Sequence, residues 1–305
     1  MSAIPLTPEP GLPGAAPSPA AAPGARAQRG EARRARRWYT QPALMTGIVI
    51  MAIILIMSAG APLFTSYNPN AQNLNAALLG PSAHHLLGTD QLGRDTWTRL
   101  LYGTWLDVRI AFLAVLFPFT LGIILGSVAG YSGGWVDTVI MRVVDVVVAF
   151  PFYVLVIALV FVLGPGVRSI IITITLVGWV SYARIIRGEI LVAKRQDYIL
   201  AAQSGGLGSV RIMRRHLLPN VVTQAIIYSM SDIVQVIVAV VTLGYFGLGV
   251  PPPTADLGSM INDGQNFLST HWQLTTIPGL AVVLVGLGLS LIGDGLADVL
   301  RPGQA

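Results

Sequence analysis

Asp145 and Asp232 are carboxylates set inside long apolar runs. An ionisable group in such surroundings is costly and is a functional candidate by default. Asp232 has Gln235 one turn later, near the middle of the run 221–249. It either lines a path for a polar solute or makes a hydrogen bond between helices. Asp145 follows Arg142 by three residues, the spacing of a helical ion pair. His84, His85, His216 and His271 show no His-Glu-x-x-His spacing, and no metal site is expected of them. The chain has no cysteine, which excludes a disulfide framework, thiolate catalysis and Cys-ligated metal. Lys194, the only lysine, lies between Ala193 and Arg195, so the glycine loop ending in Lys-Ser/Thr that grips nucleotide phosphates is missing. Ser204 to Gly208 is glycine-rich but has no lysine. No catalytic residue and no cofactor is expected in this chain, and it is not read as an enzyme.

The most informative stretch runs from Asp197 to Asn220. It reads as two short helices separated by a glycine turn. Ala201 and Ala202 give the first helix a small surface. Gly205 and Gly206 supply backbone freedom for the bend. Ser209 is the expected cap of the second helix, and Pro219 suits the first turn of the helix after it. A short helix pair with a small exposed face suits insertion into a groove on another protein. Arg211, Arg214 and Arg215 make a basic face on the second helix, read as a lipid-headgroup contact ahead of a specific ion pair with a partner.

The elements that carry these residues are apolar. Of 305 residues 53% are hydrophobic and only 11% charged, against about 25% charged in soluble domains. Runs at 43–64, 108–131, 139–163, 167–187, 221–249 and 275–297 are long enough to span a bilayer. The fold class is all-α and polytopic, with six transmembrane helices. The first run is longer than the apolar core of a signal peptide and reads as an anchor, not a cleaved leader. Residues 1–40 form a Pro/Ala/Arg-rich segment expected to be disordered, ending in Arg33, Arg34, Arg36 and Arg37 before Trp38 and Tyr39. The first transmembrane helix is assigned to 41–66, a loop to 67–102 and the remaining membrane domain to 103–298, with a cytoplasmic loop at 194–219. With the N-terminus inside, the inner side receives the tail arginines, Arg142, Arg184, Arg187, Lys194, Arg195, Arg211, Arg214, Arg215 and Arg301. The outer side receives Arg94, Arg99, Arg109 and Arg168. This asymmetry places both termini in the cytoplasm. Trp97, Tyr102, Trp105, Trp135, Tyr182 and Trp272 are expected near span ends as an aromatic belt. Gly122, Gly126 and Gly130 recur every four residues, a face for close helix approach that is read as packing inside the bundle.

The helix-pair segment resembles the cytoplasmic signature of binding-protein-dependent ABC importer permeases, Glu-Ala-Ala, Gly four residues on, then Ile/Leu-x-Leu-Pro. Ala201, Ala202, Gly206, Leu218 and Pro219 match it, while Leu200 stands where the family usually has Glu. Further blocks are similar to the dipeptide/oligopeptide/nickel branch: Gly88 to Asp95, Gly133 to Asp137 with Met141 to Asp145 and Phe150-Pro151, Gly247 to Val250, Gly258 to Ile261, and Leu291 to Leu296. The order of these blocks, with one extra span and a large loop first, points to the C-type permease. Val240-Val241-Thr242 stands where that branch often has an acidic residue.

The resemblance implies a five-helix type I importer core in a bacterial inner membrane and a peptide as substrate. It implies as partners a homologous second permease, two ATP-binding subunits that hold ATP and Mg, and an extracytoplasmic substrate-binding protein. It assigns ATPase coupling to Ala201, Ala202, Gly205, Gly206, Leu218 and Pro219. Asp232 and Gln235 are the candidate path residues. Nickel, glutathione or oligosaccharide import within the same family, and ion-coupled secondary transport with Asp232 as coupling site, are the alternatives.

Overall fold

The computed structural model describes residues 41–300. The expectations for residues 1–40 and for Arg301 lie outside the described residues. The chain forms α1 (Pro42–Ala59), α2 (Ala61–Phe64), α3 (Thr96–Ser132), α4 (Gly134–Val148), α5 (Phe152–Leu163), α6 (Val167–Ala193), α7 (Asp197–Ser204), α8 (Ser209–Ile212), α9 (Leu218–Tyr245), α10 (Leu257–Gly264) and α11 (Gln273–Leu300). No strand occurs among the described residues; a single antiparallel bridge joins Thr89 and Asp95.

Among the described residues, five helices are long and apolar enough to cross a bilayer: α1, α3, α6, α9 with the residues that lead into it, and α11. The third expected span, 139–163, is not one straight helix. It is the pair α4 and α5, bent by 89°. Pro151 causes the break, because it offers no N–H and disfavours helical geometry at the residue before it.

Close backbone approaches fix the directions of the long helices. A Cβ on Gly126 would stand 2.6 Å from the Ala183 carbonyl oxygen, one on Gly130 3.1 Å from that of Arg187, and Pro118 meets Gly178. Residue numbers rise together along both helices, so α3 and α6 run parallel. The intervening residues must therefore return from the end of α3 to the start of α6, which makes the bent pair one crossing. Gly47 meets Gly288 and Ile292, and Leu44 meets Gly295, so α1 and α11 are antiparallel. Met230 meets Gly293 and Val234 meets Gly286, which makes α9 and α11 antiparallel as well. The C-terminal part of α9, at Gly244, abuts Asp256, which in turn abuts Gly103 near the start of α3. The described residues thus cross six times, counting the bent pair as one crossing, and Pro42 and Leu300 lie at the same end of the bundle as α7 and α8. That end is called the helix-pair end below, the opposite one the loop end. The triple-glycine face of α3 packs inside the bundle, as its spacing predicts.

The core follows α6 and α9. Ile170, Ile174, Tyr182, Ile186 and Ile190 of α6 and Val236, Ile237 and Leu243 of α9 are buried together with Ile110, Ala111 and Ala114 of α3. Outward positions such as Phe161, Val162 and Val283 stay exposed and apolar, as lipid-facing positions do.

α3 begins at Thr96, well before the apolar run at 108. Asp95 caps it by accepting from Thr98 N at 2.8 Å. Its first turns are buried beneath the preceding loop, which hydrophobicity alone does not register: Thr96, Thr98 and Arg99 are all at most 2% exposed.

Candidate functional site

The helix pair is built as the glycine spacing predicts. α7 ends at Gly205, and Gly206 takes φ +76°, the left-handed region that glycine enters without a Cβ penalty. Leu207 N donates to Ala202 O at 3.2 Å and Gly206 N to Gln203 O at 3.0 Å, the paired bonds of a Schellman turn. Ser209 does not cap α8. The N-cap is Gly208, with no side-chain bond, because Ser209 is already the first helical residue. α8 then does not stop. Met213 to Leu217 continue it as a π-helical segment directly into α9. Pro219 accounts for the irregularity: its ring crowds the carbonyl four residues back, and a widened turn relieves that clash.

Three buried side chains anchor the pair to the bundle: Ile199, Ile212 and Leu217. Asn220 Nδ2 donates to Tyr198 Oη at 3.3 Å, tying α7 to the base of α9. What remains outward is Ala201, Gly205 and Gly206 at the tip, flanked by Tyr198, Leu200 and Val210, with Ala202 half-buried. Leu218 and Pro219 are not on that tip; they form the first turn of α9 behind it, with Pro219 exposed. Arg211, Arg214 and Arg215 line an open concavity of about 650 Å³ beside the tip, together with Gly208, Ser209 and Val210.

Asp232 lies 13 residues beyond Pro219, about 20 Å further along the helix. It accepts a hydrogen bond from Tyr182 Oη at 2.7 Å. Tyr182 is therefore no belt residue: it is wholly buried at the middle of α6, edge-on to Tyr228 and Phe119 with ring centroids 5.1 and 5.5 Å away. A polar atom buried at mid-membrane needs a partner, and Asp232 supplies it. Gln235, three residues on and on the adjoining part of the same helix surface, is exposed where Asp232 is half-buried. It shares with Ser231 and Val238 a side of α9 that none of the described residues covers.

The helix-pair end is held by ion pairs that local sequence does not announce. Arg187 of α6 donates to Asp137 of α4 through Nε and Nη2, at 2.5 and 2.6 Å. Asp145 is shared between Arg184 at 3.4 Å and Arg142 at 3.9 Å, so the expected i, i+3 pair is the weaker half of a triad. Lys194 Nζ donates to Tyr131 O at 2.7 Å and lies over that ring.

The loop end holds a buried knot. Asp90 Oδ2 receives Arg94 Nε at 2.6 Å, and Arg94 Nη2 reaches Asp263 at 2.9 Å. Arg99 donates to Pro69 O and Pro253 O and approaches Asp90 at 3.6 Å. Asp107 accepts from Leu257 N, and Asp256 caps α10 through Ser259 N, both at 2.9 Å. Burial pushes the Asp256 carboxyl above the usual carboxylate range, against its bonds from Ser259. His85 is engaged by Asp95 at 2.9 Å, and no group of three or more potential ligands able to hold a metal occurs among the described residues.

The described residues thus form an all-α bundle of membrane-length helices with an exposed helix pair joined to one of them. Residues 122–305 match the family of binding-protein-dependent transport system inner membrane components, and residues 32–81 match the N-terminal transmembrane domain of oligopeptide transport permease C. The chain belongs to this permease family. It is 37% identical to the dipeptide transport system permease protein DppC of Bacillus subtilis, over 88% of this chain and 84% of that one. It is 36% identical to the oligopeptide permease OppC of the same organism, over 87% of each chain. The probable D,D-dipeptide permease DdpC of Escherichia coli is 35% identical over 86% of this chain and 88% of its own length. Among solved structures, the inward-facing MetNI methionine ABC transporter shares the fold with a TM-score of 0.53 at 16% identity, covering 67% of this chain and 96% of that one.

Proposed function

We propose that this chain is the C-type permease of an ATP-driven peptide importer, forming half of the translocation path beside a homologous second permease. The relatives' names carry dipeptide and oligopeptide transport, and peptide is the substrate class that follows for this chain. Two partner subunits bind and hydrolyse ATP with Mg, and an extracytoplasmic binding protein delivers the substrate at the loop end.

The observation that carries the reading is the continuity of α8 with α9. A push on the tip at Ala201, half-buried Ala202, Gly205 and Gly206 passes across the glycine turn into α8, whose helical backbone runs without a break past Leu218 and Pro219 into a membrane span. Closure of the ATPases would thereby tilt α9 and alternate access to a path along its uncovered side. The membrane is the bacterial inner membrane, with the helix-pair end in the cytoplasm. Arg142, Arg184, Arg187, Lys194, Arg195, Arg211, Arg214 and Arg215 gather at that end. At the other, Arg94 and Arg99 are neutralised within the buried knot.

Purification of the tagged chain in mild detergent tests the class. Two ATP-binding subunits and a second permease are expected with it, and the reconstituted complex should take up a labelled dipeptide only with ATP. An ion-coupled secondary transporter would purify without ATPases and respond to an ion gradient. Uptake of nickel, glutathione or an oligosaccharide in place of the dipeptide would redirect the substrate within the family.

A further inference from the structure

One side of α9 is polar although the helix spans a membrane. Gln224, Tyr228, Ser231, Asp232, Gln235 and Thr242 fall within a sector of about 100° on a helical wheel. Ser231 and Gln235 are exposed, and Tyr228 and Asp232 are half-buried at the sector's edge. Asp232 is the one acid in α9. It receives a hydrogen bond from the Tyr182 hydroxyl, which is neutral, and it forms no ion pair with a cationic side chain among the described residues. A carboxylate at mid-membrane without a counter-charge is expensive. Its second oxygen is not bonded by Tyr182, and the Tyr182 and Tyr228 rings stand edge-to-face beside it.

That arrangement is half of an ammonium site. A primary ammonium presents three donors. The Asp232 carboxylate, the Ser231 hydroxyl and the Gln235 amide oxygen are three acceptors within about one turn of one another on this side of α9. We propose that Asp232 receives the protonated N-terminal amine of the peptide during its passage, with Ser231 and Gln235 completing its hydrogen bonds. This rests on the peptide reading above. The arriving cation neutralises the buried charge, and the bond is made only in the conformation that opens this side of α9 to the path.

The test uses the complete reconstituted transporter with saturating binding protein, a dipeptide with a free amine and its N-acetylated counterpart. Asp232→Asn keeps an acceptor for Tyr182 and removes the charge. Uptake of the free-amine dipeptide should fall about tenfold, the scale of one lost charge-assisted hydrogen bond. Assembly, melting temperature and N-acetyl uptake should not change, and Asp232→Glu should retain most free-amine uptake. Free-amine uptake within twofold of wild type in Asp232→Asn overturns the proposal. So does an equal loss for both peptides, which would mark helix packing or ion coupling instead. Should the variants fail to assemble, carbodiimide labelling of Asp232 in the wild-type complex decides. Protection by the free-amine dipeptide, and not by the N-acetylated one, is expected; no difference overturns the proposal. A wild-type complex that imports no peptide refutes the substrate reading itself, and this is seen before any variant is compared.

Discussion

Gly126 of α3 lies against the backbone of Ala183 of α6 so closely that a Cβ on the glycine would stand 2.6 Å from the Ala183 carbonyl oxygen. This approach sets the parallel register of α3 and α6, and that register in turn requires α4 and α5 to return as one bent crossing. Gly126→Leu should destabilise the folded protein by at least about 2 kcal/mol, the cost of forcing extra atoms into a packed interface. Thermal unfolding in detergent reads this directly. Gly188 of α6, where a Cβ would meet nothing within 4 Å, serves as the control, and Gly188→Ala should leave the melting temperature unchanged or slightly raised.

Gly206 sits at φ +76° with open space around it. Gly206→Ala should therefore cost only backbone strain, roughly 1–2 kcal/mol confined to the turn. Gly206→Asp adds a charged side chain to the exposed tip as well. The protein should insert and assemble in normal amounts while ATP-driven uptake is lost. Uptake at the wild-type rate would remove this turn from the coupling path.

Arg94 joins Asp90 of the long loop to Asp263 of α10 and is 4% exposed. Arg94→Ala removes the bonded cation from both carboxylates, leaving Asp90 only the longer contact to Arg99 at 3.6 Å, and roughly 2 kcal/mol of stability should be lost. Hydrogen exchange should rise in both 68–95 and 257–264, because the arginine is the link between them.

The ion pairs at the helix-pair end should rank by geometry. Asp137→Ala removes a two-pronged pair with Arg187 and should cost about 1 kcal/mol. Arg142→Ala removes a largely exposed contact at 3.9 Å and should change stability by less than about 0.5 kcal/mol. Unfolding midpoints of the two variants, compared in one detergent, check the order.

Much of this was legible in the sequence for a simple reason: the bilayer constrains apolar length, so six long runs give six crossings. Gly206 likewise announces the turn, because few other residues take its left-handed backbone. The bend at Pro151 was visible as a residue type, but not its 89° size, which depends on how α4 and α5 pack. Tyr182 resembled a belt aromatic by type. Only its register against α9 reveals that it serves Asp232. Asp137 and Arg187 are 50 residues apart, and Arg94 and Asp263 are 169 apart, so no local pattern pairs them. The difference in cover between Asp232 and Gln235 is of the same kind, since it depends on which helices pack against α9.

On the function proposed above, the tip of the helix pair is where an ATP-binding partner grips this permease. Because the chain contains no cysteine, Ala201→Cys introduces a unique thiol on that tip. In the purified complex it should form a cross-link, with a short bifunctional reagent, to an ATP-binding subunit carrying a single cysteine in its permease-facing groove, and ATP should change the yield. A thiol that stays freely reactive to a soluble maleimide in the assembled, transport-competent complex, with no cross-link to any ATP-binding subunit, would contradict the claim.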